Sequence, residues 1–181
     1  MRVRVKFCGI ISVEDRDSAI AAGADAIGVV FFKDSPRFVA LEKAERIVKD
    51  IPPFISAVGV FVNEDLEFIE ECVERCNLNA VQLHGDEDVK YCLRFKSLKF
   101  NKGVKLIKAI RIKDRESLEA IEDCPADAIL LDAYKRGLYG GTGEDFDHSL
   151  VVIAKEYGKN IIISGGLNPD NVYKIIKEVN P

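Results

Sequence analysis

Short apolar runs alternate with longer amphipathic stretches from one end of the chain to the other. The runs Val3–Cys8, Ala26–Phe31, Ile55–Phe61, Ala80–Leu83, Lys105–Ile110, Ala128–Asp132 and Asn160–Ser164 are apolar at nearly every position. That pattern predicts parallel strands buried on both faces. Between them, Val13–Ala22, Leu41–Asp50, Asp65–Cys76, Asp86–Phe95, Asp114–Glu122, Asp147–Tyr157 and Pro169–Val179 carry helical spacing. Ser12 before Val13-Glu14-Asp15 is an N-cap with acid in the first turn. Asn168-Pro169 is a cap followed by proline at the first helical position. Gly23 and Gly158 mark helix ends.

Seven strand–helix units in strict alternation demand a parallel sheet, as a barrel or as an open doubly wound sheet. No linker or low-complexity stretch divides them, so residues 1–181 read as a single domain. The first strand–helix turn, Cys8-Gly9-Ile10-Ile11-Ser12, lacks the three-glycine dinucleotide fingerprint, which argues against a dinucleotide-binding fold. Polar residues and glycines gather just past the strand ends, at Cys8-Gly9, Lys33–Arg37, Asn63, His84-Gly85, Asp132 and Ser164-Gly165-Gly166. In a barrel those positions share one face, where active sites are built.

Composition narrows the function class. The chain has 181 residues, 48% of them hydrophobic, and a net charge of −4. A mildly acidic chain has no electrostatic drive toward nucleic acid or an anionic membrane, so an anionic small molecule would need a local positive site. No signal-peptide core follows Met1, and no apolar run approaches the roughly 18 residues of a membrane span; the expected compartment is the cytoplasm. The five cysteines (Cys8, Cys72, Cys76, Cys92, Cys124) have no framework spacing and read as reduced thiols. Cys72 and Cys76 read as small residues on a half-buried helix face rather than as metal ligands.

Each candidate site residue carries two readings. Gly165-Gly166 lets backbone N–H groups approach an anion near a helix start, or forms a tight turn; its place after the seventh strand favours phosphate. Cys8 is a nucleophile or base, or a small buried hydrophobe. Asp132, at the tip of the apolar run Ile129-Leu130-Leu131, suits a general acid, or caps a loop. Arg37 could fork onto a carboxylate or lie on the surface. His84 could donate to a substrate or cap a loop, whereas His148, in a helical first turn, reads as structural.

Taken in order, Lys6-Phe7-Cys8-Gly9-Ile10, Ser35-Pro36-Arg37, Gly59-Val60-Phe61-Val62-Asn63, Val81-Gln82-Leu83-His84-Gly85, Leu130-Leu131-Asp132, Gly140-Gly141-Thr142-Gly143 with Phe146-Asp147, and Ser164-Gly165-Gly166-Leu167-Asn168-Pro169 resemble the phosphoribosylanthranilate isomerase family. The resemblance runs from Val3 to Pro181. It implies an α/β fold of the TIM (β/α)₈ barrel type, with seven units present here and an eighth, carrying part of the phosphate site, beyond Pro181. It implies an Amadori rearrangement of N-(5′-phosphoribosyl)anthranilate in tryptophan biosynthesis, without metal or cofactor. The implied roles are Cys8 as general base and Asp132 as general acid, with Arg37 on the anthranilate carboxylate and Gly165 and Gly166 on the phosphate. Gln82 and His84 would line the site, and the loop around Gly141 would shape or cover it. The implied partner is the small phosphosugar–anthranilate substrate, with no nucleic acid or membrane, in a monomer or homodimer. Indole-glycerol-phosphate synthase, which needs a catalytic lysine for which Lys108 is the only tempting choice, a metal-dependent pentose-phosphate epimerase and an inactive barrel fragment are the competing readings.

Overall fold

A computed structural model of the chain describes residues 2–98, 103–133 and 149–180. The strands are β1 (Lys6–Cys8), β2 (Ala26–Val30), β3 (Ser56–Phe61), β4 (Ala80–Leu83), β5 (Lys105–Ile112), β6 (Ala128–Ala133) and β7 (Asn160–Ile163). They form one parallel sheet in sequence order, β1 to β7. The helices are α1 (Val13–Ala21), α2 (Leu41–Val48), α3 (Leu66–Cys76), α4 (Val89–Ser97), α5 (Ser149–Lys155) and α6 (Val172–Val179), with a 3₁₀ segment, Glu116–Ile121, between β5 and β6.

The sheet curls. Lys6 on β1 donates a hydrogen bond to Gln82 on β4, and those strands lie three places apart. In a flat sheet they would stand about 14 Å apart; contact requires a concave face toward which both side chains lean. Alternation along each strand then sorts the residues. Val58, Ala80, Ile107, Ala109 and Leu130 pack together on the concave side with Ala26, Ala128 and Ile162. Their neighbours, including Ile27, Val29, Ala57, Phe61, Val81, Leu83, Leu106, Ile129 and Leu131, join the larger core beneath the helices. Each fully buried Ile, Leu or Phe there contributes on the order of 1.5–3 kcal/mol. Phe31 and Phe61 stack at 5.0 Å between ring centroids inside that layer.

The helices follow their sequence signals. Ser12 caps α1 by accepting from the Asp15 N–H at 3.0 Å, and Asp88 caps α4 by accepting from Tyr91 at 2.7 Å. Leu41, Ala44, Ile47 and Val48 form the buried stripe of α2, which Arg75 of α3 ties down by an ion pair to Glu45 at 2.8 Å while also pairing with Glu71 on its own helix at 2.8 Å.

Four expectations are corrected. The first strand covers only Lys6–Cys8 and is half-buried to exposed rather than buried on both faces, because among the described residues β1 pairs with β2 alone. The segment expected as a helix over Asp114–Glu122 is a 3₁₀ turn, held by Ser117, whose N–H donates to Asp114 Oδ1 at 3.0 Å. The last helix starts at Val172 rather than Pro169. Asn168 still captures N–H groups, those of Asp170 at 2.9 Å and Asn171 at 3.1 Å, but it organises a turn ahead of the helix. Cys72 and Cys76 are fully buried rather than half-buried.

Candidate active site

Strand order and alternation bring the candidate residues to one end of the concave face. Lys6 points inward, so Cys8, two residues on, shares that face. Cys8 is the one exposed cysteine of the five. Burial pushes the Cys72 thiol up strongly and Cys76 to about 11, and a hydrogen bond with Cys124, together with burial, holds Cys92 in its thiol form. Gly28 is the register partner of Cys8 on β2; a Cβ there would stand 2.9 Å from the Cys8 sulfur.

Arg37 folds back over this strand end. Its Nη1 donates to the Cys8 carbonyl at 3.5 Å. Its aliphatic stem lies against Gly9, where a Cβ would fall 2.3 Å from Arg37 Cδ and where φ is +83°. Glycine is required there on both counts. The guanidinium is thereby held beside the thiol strand, a local positive charge on an acidic chain.

Asp132 lies at the other side of the mouth, on β6, only 2% exposed. Its Oδ2 is 3.0 Å from His84 Nε2, while its Oδ1 has no hydrogen-bond partner among the described residues. His84 Nδ1 is 2.8 Å from Gln82 Nε2, and Gln82 Oε1 accepts from Lys6. Gln82 is 1% exposed. A single line of hydrogen bonds therefore joins β1, β4 and β6 across the concave face.

A buried frame fixes the loop after β4. Glu87 accepts from the N–H groups of Asn63 at 2.8 Å and Gly85 at 3.0 Å, and pairs with Lys108 at 2.9 Å. Lys108 also donates to the Gly85 carbonyl at 2.8 Å. Since Ile107 and Ala109 face the barrel interior, Lys108 faces the helices. The one lysine that favoured a synthase is thus a structural prop.

Gly165 and Gly166 adopt φ of +84° and +68°. Asn171 Nδ2 donates to the Gly166 carbonyl at 2.8 Å, and among the described residues neither glycine N–H donates a hydrogen bond. Two uncommitted N–H groups suit an anion. Gly141 and His148 lie outside the described residues. Among those described, no cluster of three or more His, Cys, Asp or Glu could hold a metal, and no helix is long and apolar enough to cross a membrane.

Two mouth residues escaped the sequence reading. Lys6 stood inside a recognised motif without a role; its signal was a lysine two positions before Cys8, on the same strand face. Arg111 pairs in register with Asp132 and reaches Asp86 at 3.3 Å. The expected strand stopped at Ile110, one residue short of it.

Known proteins resemble this chain in sequence and in fold. The sequence model described as N-(5′phosphoribosyl)anthranilate (PRA) isomerase matches residues 5–181. The N-(5′-phosphoribosyl)anthranilate isomerase of Citrifermentans bemidjiense is 44% identical over 98% of this chain and 82% of its own length. That of Thermotoga neapolitana is 42% identical over 99% and 84%. Among solved structures, the Thermotoga maritima phosphoribosyl anthranilate isomerase superposes with a TM-score of 0.89 at 39% identity, covering 99% of this chain and 85% of that one. A phosphoribosyl anthranilate isomerase in complex with reduced 1-(o-carboxyphenylamino)-1-deoxyribulose 5-phosphate gives 0.85 at 38% identity, covering 99% and 84%.

Proposed function

The chain belongs to the phosphoribosylanthranilate isomerase family, and from that premise we propose how its own side chains divide the work of converting N-(5′-phosphoribosyl)anthranilate to 1-(2-carboxyphenylamino)-1-deoxyribulose 5-phosphate. Asp132 is the general acid. In its protonated form it gives a proton to the furanose oxygen as the bond from that oxygen to the anomeric carbon breaks. The nitrogen lone pair moves in to form an iminium. Cys8, as thiolate, removes the proton from the adjacent carbon, and the enolamine tautomerises to the ketone. The proton taken by Cys8 balances the proton given by Asp132, and solvent returns the pair to its starting state.

The other roles follow from charge and placement. Arg37 holds the anthranilate carboxylate by charge-assisted hydrogen bonds. Gly165 and Gly166 hold the phosphate through backbone N–H groups, and Gly141 belongs to the loop over the site. Gln82 and His84 serve the site through Asp132. The chain acts as one barrel domain in the cytoplasm, on a small-molecule partner.

The observation that carries this reading is the state of Asp132: buried, one oxygen held by His84, the other without a partner among the described residues, on the face that also presents Cys8. The test is loss of the substrate's anthranilate fluorescence with the chain and with Asp132→Asn. Turnover by the parent and not by the variant supports the acid role, worth on the order of 10²–10⁴-fold. Equal turnover by both removes it.

A further inference from the structure

We propose that Lys6, Gln82 and His84 form a one-way hydrogen-bond chain that dictates which oxygen of Asp132 carries the acid proton, with Lys6 the positioning residue that sets its direction. The proposal rests on Asp132 being the general acid and adds to that reading the origin of its protonation geometry.

Donor and acceptor capacity alone fixes the direction. A lysine ammonium has donors and no acceptor. The Gln82 atom that meets it must therefore be the amide oxygen, and the NH₂ must point the other way, toward His84 Nδ1 at 2.8 Å. An NH₂ group can only donate, so Nδ1 must accept and carries no hydrogen. The ring proton then sits on Nε2 and is donated to Asp132 Oδ2 at 3.0 Å. An oxygen receiving that hydrogen bond presents its lone pair to the ring. In the protonated acid the carbonyl oxygen is the stronger acceptor, so the ring N–H favours the hydrogen on Oδ1, the atom with no partner among the described residues.

A hydrogen on Nδ1 would face the Gln82 NH₂ donor to donor, and Gln82 is only 1% exposed. Other charges stand near. Arg111 is the register neighbour of Asp132 on β5, and it reaches Asp86. The ring nitrogens of His84 meet Gln82 and Asp132, so the tautomer is decided by Gln82, and the orientation of Gln82 by Lys6.

Imidazole ¹⁵N NMR reads this without any turnover. The chain has two histidines, and replacing His148 assigns the pair. The full chain with ¹⁵N-labelled histidine, at mildly alkaline pH where an ordinary imidazole is neutral, should show His84 with a pyridine-like Nδ1 and a protonated Nε2. Lys6→Met should leave Gln82 free to turn and bring in the Nδ1–H form, whereas Lys6→Arg, still a donor-only cation, should keep the parent pattern. Gln82→Glu should reverse the chain, because a carboxylate can only accept from Lys6 and from His84; Nδ1 should become protonated. In turnover, Lys6→Met and Gln82→Glu should lower kcat by roughly tenfold or more, part of a general-acid effect of about 10²–10⁴-fold, with KM little changed. A protonated Nδ1 in the parent, or an unmoved tautomer in both Lys6→Met and Gln82→Glu, overturns the proposal. Full turnover by Asp132→Asn with the predicted tautomers present would instead remove the acid reading and leave the direction of the chain standing.

Discussion

Gly28 and Cys8 are register partners on neighbouring strands, and the sulfur of Cys8 occupies the space that a side chain on Gly28 would fill. A glycine inside a strand weakens it slightly, so its presence beside the thiol answers a need for room. Gly28→Ala keeps an extended backbone that alanine tolerates. The sulfur at 2.9 Å, the free end of its side chain, has to give way. The expected outcome is a protein that melts near the parent temperature and has lost on the order of 10²-fold in kcat, the penalty of a reacting group displaced by about 1 Å. Unchanged turnover in a correctly folded Gly28→Ala variant would show that the thiol does not need this position.

Arg37 is placed by Gly9 as much as by its own loop, since the stem rests where a Cβ would be. A charged hydrogen-bonded pair is worth about 1.5–3 kcal/mol, so Arg37→Ala should raise KM by about tenfold to a hundredfold. The parent should bind a carboxamide analogue of the substrate more weakly than the carboxylate by a similar factor. In Arg37→Ala that discrimination should vanish. If the variant still prefers the carboxylate, another cation holds it, and Arg111 at the same mouth is the next to replace.

The strand–helix alternation was legible because a parallel strand covered on both faces leaves nearly unbroken apolar runs, and Ile27–Val30 and Ile129–Leu131 are such runs. The site residues were legible individually, as polar groups at the tips of those runs. What the sequence left hidden was their wiring. That Lys6 reaches Gln82 depends on the curl of a sheet that separates them by 76 positions. Periodicity reports which face a residue takes and says nothing of how strongly the sheet bends. The 3₁₀ segment was misread for a related reason: Asp114 and Ser117 offer a local cap and a run of acids, yet Ser117 bonds back to Asp114 and tightens the turn. Glu87, which lies inside the span expected as the helix Asp86–Phe95, is buried beneath the loop that carries His84.

The Lys108–Glu87 pair should matter to stability through that loop. Both side chains are nearly inaccessible, and Glu87 also accepts two backbone N–H groups. Lys108→Met leaves a carboxylate buried without its cation, a change that costs about 3–5 kcal/mol. Denaturant unfolding should show that drop in midpoint at constant slope. Glu87→Gln retains one acceptor for the N–H groups and should cost less. A Lys108→Met variant as stable as the parent, yet inactive, would return Lys108 to the catalytic candidates from which its orientation removes it.

Acid should loosen the end of the barrel opposite the mouth. Asp127 sits at the entry to β6, where burial works to raise its carboxyl but is outweighed by the Lys96 ammonium at 2.8 Å, the Leu106 N–H at 2.7 Å and Lys105 at 3.8 Å. The net effect holds the carboxyl below its ordinary range. A carboxylate depressed in the folded state contributes its full stability above the unfolded value of about 3.9, and that contribution is lost as pH falls through the folded value. Stability should therefore be flat with respect to this group above about pH 5 and decline below it. Asp127→Asn should be less stable than the parent near neutrality, and the gap should narrow as the medium is acidified. The effect is modest because the pair is partly exposed, and it should shrink further in high salt. Urea midpoints measured for both proteins down this pH range check the sign. A gap that widens toward acid would mean that Asp127 is held above its ordinary range, with burial outweighing its lysines and the Leu106 N–H.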